Sequence, residues 1–179
     1  SCLPFAAPRA GGCRDPHVAR FGDTYHLYYT IDGSDDTACV GVATSKDLLD
    51  WRDAGRALVS PRRSDSGKHA TSAESSAVHE IDGRYLMTVK HCCDQGQCNH
   101  GSFLIWSNSP TRFDWENRFC WLDRVIAMEL VARKGDDLLF ACFSCVWWKF
   151  HLIKLTRHGD RFTMKENLSP SEIAELTSL

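Results

Sequence analysis

Apolar and aromatic residues alternate with polar ones through Val18-Ala19-Arg20-Phe21 and again through Tyr25-His26-Leu27-Tyr28-Tyr29-Thr30. A Gly22-Asp23 turn separates the two runs, which is the pattern of an antiparallel β-hairpin. The pattern recurs over residues 73–89, around an Asp82-Gly83 turn, and over residues 127–142, around Gly135-Asp136. When the three segments are laid over one another, Asp15, Glu74 and Glu129 fall at the same place, so each hairpin carries one acid.

Each hairpin is followed by further strand-like runs. In the first unit, Ala38–Ser45 alternates small and branched residues, and the stretch after it turns outward to a fourth strand anchored by Trp51. The second unit repeats this order with Ser102–Ser107 and an outward stretch in which Trp115 takes the place of Trp51. The third gives Leu138–Cys145, then Phe150–Arg157 and Arg161–Met164. Units of about fifty residues with four strands apiece predict an all-β propeller of about three antiparallel blades, at about 14–58, 73–122 and 127–165 of a single domain spanning 1–179. Ser169, Pro170 and Glu172 have the spacing of a helix N-terminus, so a short helix should close the chain.

The connections add detail. Residues 1–13 are rich in Pro, Ala and Gly and read as an extended lead-in, whereas 59–72 is a charged surface connection or a substrate wall. In a propeller the innermost strand of each blade runs along the central channel, so Asp15, Glu74 and Glu129 should converge there. Converging carboxylates suit glycoside hydrolysis, one holding a proton for the leaving oxygen and another ionised to attack or to activate water. Mutual repulsion and partial burial should raise at least one of their pKa values. Tyr29 and Trp147 are candidates to stack on a sugar face.

Composition narrows the classes of partner. A net charge of −2 gives no basic face for nucleic acid, and no apolar run approaches the length of a membrane-spanning helix. No signal peptide is visible, which suits either a cytoplasmic protein or an exported one after processing. Nine cysteines are too many to ignore but odd in number, and Cys39, Cys142 and Cys145 lie in apolar runs where the thiol packs as a small hydrophobe. His91-Cys92-Cys93 through Cys98 and His100 could chemically hold zinc, but the paired spacing is only partly met, so no metal and no other cofactor is expected. His17, His26 and His151 lie in strand patterns and read as structural.

Three motifs, R-D-P-H-V-A-R-F-G-D-T-Y-H-L-Y-Y-T, G-V-A-T-S-K-D-L-L-D-W and A-E-S-S-A-V-H-E-I-D-G-R-Y-L, occur in order within residues 14–115. They resemble successive blade motifs of the five-bladed propeller glycosidases of families 43, 32 and 68. The resemblance implies that Asp15 is a transition-state stabiliser or a base, that Glu74 is the acid/base, and that Arg14 touches a sugar hydroxyl. The sequence departs from that pattern in two ways. Residues 1–13 contain no acid where families 32 and 68 place a further aspartate, and the family 43 scheme puts the acid two blades beyond Asp15. Glu129 is the substitute the chain offers. The ring then closes unusually small, or chains associate to complete or extend it, or the chain is a remnant of a larger propeller. The expected function is a glycoside hydrolase-like protein that binds or hydrolyses a carbohydrate in an acidic central pocket. The alternative is a non-catalytic or degenerate carbohydrate-binding propeller.

Overall fold

A computed structural model of the chain describes residues 13–32, 38–60, 73–93, 99–145 and 149–178. They form three four-stranded antiparallel sheets, each following chain order from its inner strand outward. The first holds β1 (Cys13–Phe21), β2 (Thr24–Asp32), β3 (Ala38–Ser45) and β4 (Arg52–Val59). The second holds β5 (Glu74–Ile81), β6 (Arg84–Cys93), β7 (Asn99–Ser107) and β8 (Arg118–Asp123), with a 3-10 turn at Trp115–Asn117 before β8. The third holds β9 (Val125–Lys134), β10 (Asp137–Ser144), β11 (Lys149–His158) and β12 (Arg161–Lys165).

The predicted hairpins are therefore the inner halves of the sheets. At the β5–β6 turn both Asp82 (φ 52°) and Gly83 (φ 74°) are left-handed, the combination that a two-residue type I′ turn needs to match strand twist. The final helix α1 (Pro170–Thr177) starts as expected, with the Ser169 side chain accepting from the Glu172 N–H and the Glu172 side chain returning to the Ser169 N–H.

The sheets stack face to face like propeller blades, with the second between the other two. Tyr28, Val40 and Leu58 of the first sheet pack with Val78, Met87 and Ile105 of the second. On the other side Leu86, Leu104 and Trp106 pack with Met128, Phe140 and Ile153 of the third. Strand alternation explains how one sheet serves both interfaces: along β6, Met87 and Val89 face the first sheet while Leu86 faces the third. Thr88 shares the face of Leu86 and donates its hydroxyl to the Met128 carbonyl at 3.2 Å. Tyr28 is fully buried, and its hydroxyl donates to the Pro110 carbonyl at 2.7 Å, so a large apolar ring keeps its one polar atom satisfied across the boundary.

At the turn end of the stack, Asp82 of the second sheet accepts from Arg133 (2.7 Å) and Arg157 (2.6 Å) of the third. Inner strand β5 lies against both β1 and β9, which brings the starts of the three hairpins together. Among the described residues, no helix is long and apolar enough to cross a membrane.

Candidate functional site

Each inner strand carries a β-bulge near its start. In the first sheet Arg14 pairs with Thr30 and His17 with Tyr28, so two residues, Asp15 and Pro16, stand against one partner residue. In the second, Glu74 pairs with Lys90 and Ala77 with Thr88. In the third, Ile126 pairs with Phe143 and Glu129 with Ala141. The bulge is set by one left-handed residue in each strand: Asp15 (φ 55°), Ser75 (φ 46°) and Ala127 (φ 50°). These three are the equivalent positions.

The three acids are therefore not equivalent, which corrects the overlay made from the turns. Asp15 occupies the left-handed position, Glu74 precedes it and Glu129 follows it by two residues. The third hairpin has a further irregularity, with Val131 unpaired between Leu130 and Ala132, so counting from its turn misplaces the site.

The bulges still gather the acids of the first two sheets. Asp15 Oδ2 accepts from the Ser75 N–H (3.1 Å), the Ser75 hydroxyl (3.2 Å) and the Thr30 hydroxyl (3.2 Å). Its Oδ1 has no partner among the described residues. Next to it, Glu74 is held from two sides: Arg14 Nη2 reaches Oε1 and Lys90 Nζ reaches Oε2, both at 2.6 Å. Burial pushes the Glu74 carboxyl up, but the bonds from Lys90 and Arg14 outweigh it and hold the group below its ordinary range.

Glu129 arrives from the third sheet by way of a histidine. His17 Nδ1 lies 3.2 Å from Glu129 Oε2, and His17 Nε2 lies 3.2 Å from the Val78 carbonyl. Both neighbours are acceptors. Beside it is His79, 5.5 Å away between ring centroids, whose Nε2 accepts from the Leu130 N–H at 3.4 Å. Burial, with the nearby His17 adding to it, pushes the His79 pKa down to about 4, so this ring is neutral. For Glu129, burial pushes the carboxyl up, but His17 outweighs it and the net shift is downward. The expected upward shift is thus absent at Glu74 and Glu129: Lys90 and Arg14 bond the first and His17 the second, rather than another carboxylate.

Tyr29 is not at the mouth. Period-two alternation sends Thr30 towards Asp15 and Tyr29 to the other face of β2, where it packs with Ile31, Cys39 and Ala43 at 5% exposure. Burial raises its phenol to about 12, and the hydroxyl has no partner among the described residues. Trp147 lies outside the described residues, as do residues 61–72 of the connection and 94–98 of the stretch weighed for zinc. No group of three or more metal-ligating side chains is arranged to hold an ion among the described residues.

The sequence pattern does not single out Lys90, Thr30 or Ser75, and it presents His17 only as a structural strand residue. Lys90 was findable, since it stands directly across the hairpin from Glu74 and opposite charges at that position attract. Ser75 and Thr30 carry no signal of their own. Their role exists only because the first two inner strands meet.

Four-stranded blades stacked around bulged inner strands that present acids define the propeller-glycosidase class of fold. The solved structures similar to this chain agree. An exo-β-1,3-galactanase from Clostridium thermocellum superposes with a TM-score of 0.63 at 17% identity, over 91% of this chain and 39% of that one. An α-L-arabinanase from Penicillium chrysogenum gives 0.61 at 11% identity, over 87% and 46%. A family 117 glycoside hydrolase from Zobellia galactanivorans gives 0.56 at 14% identity, over 86% and 55%. The chain therefore spans between about two fifths and just over half of the length of these structures. Comparison with curated proteins gives no match. Residues 9–122 match glycosyl hydrolases family 43, and the chain belongs to that family.

Proposed function

We propose that this chain binds a glycoside over the Asp15–Glu74 cluster and hydrolyses it. One observation carries the reading: acids from two successive inner strands belong to a single bonded cluster, since Asp15 accepts from Ser75 while Arg14 grips Glu74. Asp15 serves as base, because three donors fix Oδ2 and leave Oδ1 open to orient a water. Glu74 serves as proton donor once an entering sugar hydroxyl draws Lys90 or Arg14 away, which lifts its pKa towards the range an acid catalyst needs. Glu129, half-exposed and anchored by His17, supplies the third acid of the pocket and accepts from a sugar hydroxyl.

A second reading, carbohydrate binding without turnover, is favoured by the double clamp on Glu74, which keeps that carboxylate ionised. Wild type and Glu74→Gln are assayed on aryl β-galactosides and aryl α-L-arabinofuranosides, classes suggested by the names of the similar galactanase and arabinanase. Sugar binding is followed in parallel by calorimetry. Turnover that falls by about 10²–10⁴ in the variant supports the enzyme. Binding with no turnover in either protein supports the second reading, and neither binding nor turnover removes both.

A further inference from the structure

A groove on the outer side of the stack, between the second and third sheets, has the chemistry of a separate ligand site. It is built from the start of β6, the end of β7, β8 and the β11–β12 turn, and encloses about 760 Å³, within the usual range for a small-molecule site. None of its lining residues belongs to the acid cluster.

The lining combines an aromatic patch with charge. The rings of Trp106, Phe119 and Phe162 are nearly parallel: 6° between Trp106 and Phe119, 18° between Phe119 and Phe162, and 23° between Trp106 and Phe162. Their centroids lie 6.4, 6.1 and 6.3 Å apart in the same order. Three near-equal separations rule out a column, in which the outer pair would be twice as far apart as its neighbours. The rings instead form a triangular cluster. Arg84 lies over the Trp106 ring at 4.7 Å and is held by Asp160 at 2.8 Å.

Two features are left unspent. The Trp106 indole N–H, on a residue only 7% exposed, has no acceptor among the described residues. Arg161 is exposed and has no acidic partner among them, so after the Arg84–Asp160 pair cancels, the groove retains one positive charge.

We propose that this groove binds an acidic oligosaccharide, with the C–H faces of the sugar rings on Phe119 and Phe162 and a uronate carboxylate on Arg161. The negative face of an aromatic ring attracts the slightly positive C–H bonds of a pyranose, and a guanidinium offers a carboxylate two parallel N–H donors. A neutral sugar would leave the Arg161 charge uncompensated. The proposal takes only the ligand class, carbohydrate, from the reading above, and it adds a second site about which the acid cluster says nothing.

Calorimetry on the full chain with α-1,4-trigalacturonic acid and with α-1,4-galactotriose tests it, using wild type, Arg161→Ala, Phe162→Ala and Asp15→Asn. The acidic trisaccharide should bind, about tenfold more weakly to Arg161→Ala, more weakly still as salt is added, and unchanged to Asp15→Asn. Phe162→Ala should also weaken it. Should that variant melt early, the substitution at exposed Arg161 decides alone. No binding, equal binding of the two trisaccharides, or no effect of Arg161→Ala overturns the proposal. Binding abolished by Asp15→Asn also overturns it while upholding the central site.

Discussion

Arg14 and Glu74 join the first two sheets beside the axis of the stack, Nη2 to Oε1 at 2.6 Å, one residue before Asp15 in the first strand and one before Ser75 in the second. The ion pair and the Asp15–Ser75 bonds therefore connect the same two positions of two successive bulges, in both directions.

Asp15→Asn and Asp15→Ala should separate the acid's structural and chemical roles. The amide keeps an oxygen for the Ser75 and Thr30 donors, so melting should change little while turnover on the sensitive substrate falls by about 10²–10⁴. Alanine leaves those donors, among them the fully buried Thr30, without an acceptor. It should cost about 1–3 kcal/mol in denaturant unfolding as well.

Lys90→Met should alter the acid side of the stability curve. Glu74 titrates below its ordinary 4.5 in the folded chain, so its contribution is complete above that value and is lost as pH falls through the folded pKa. Without Lys90 the folded pKa rises towards 4.5, so the loss on acidification should be smaller and should end at higher pH. Melting temperature measured from pH 3 to 7 for both proteins reads the shift directly.

A second pH window belongs to His79. The unfolded ring takes up a proton near its ordinary 6.5, but the folded ring does so only near 4. The stability it contributes as a neutral ring is therefore intact above 6.5 and is lost as pH falls between these values, at up to about 1.4 kcal/mol per pH unit. In His79→Gln the slope of stability against pH in that window should flatten.

Gly101→Ala should destabilise the second sheet. A Cβ on Gly101 would stand 2.6 Å from the Leu122 carbonyl oxygen and 2.5 Å from the Trp121 ring, and the carbonyl cannot move without disturbing the β7–β8 ladder. A cost of about 1–3 kcal/mol is expected in denaturant titration.

Much of this architecture is legible in the sequence because it rests on local rules. Alternation around Gly22-Asp23 and Asp82-Gly83 gives the hairpins, and Ser169 with Glu172 gives the helix start. The site is less legible because it depends on register. An extra residue at each bulge, and one more at Val131, shifts a side chain relative to the turn without any mark in the hydrophobic pattern. Tyr29 shows the same weakness at closer range: it and Thr30 are adjacent in an aromatic run, and only the pairing of β1 with β2 decides which of them faces Asp15. The ionisation of Glu74 depends on Arg14, sixty residues away, as well as on its cross-strand partner Lys90.

The alternation of β6 gives the stack a single point of control. Both interfaces are read from one strand, so a slip by one residue would turn Met87 and Val89 towards the third sheet and Leu86 and Thr88 towards the first. Neither neighbour can then be docked correctly while the other is wrong. Three sheets that look modular in sequence are thus tied together through the register of the middle hairpin.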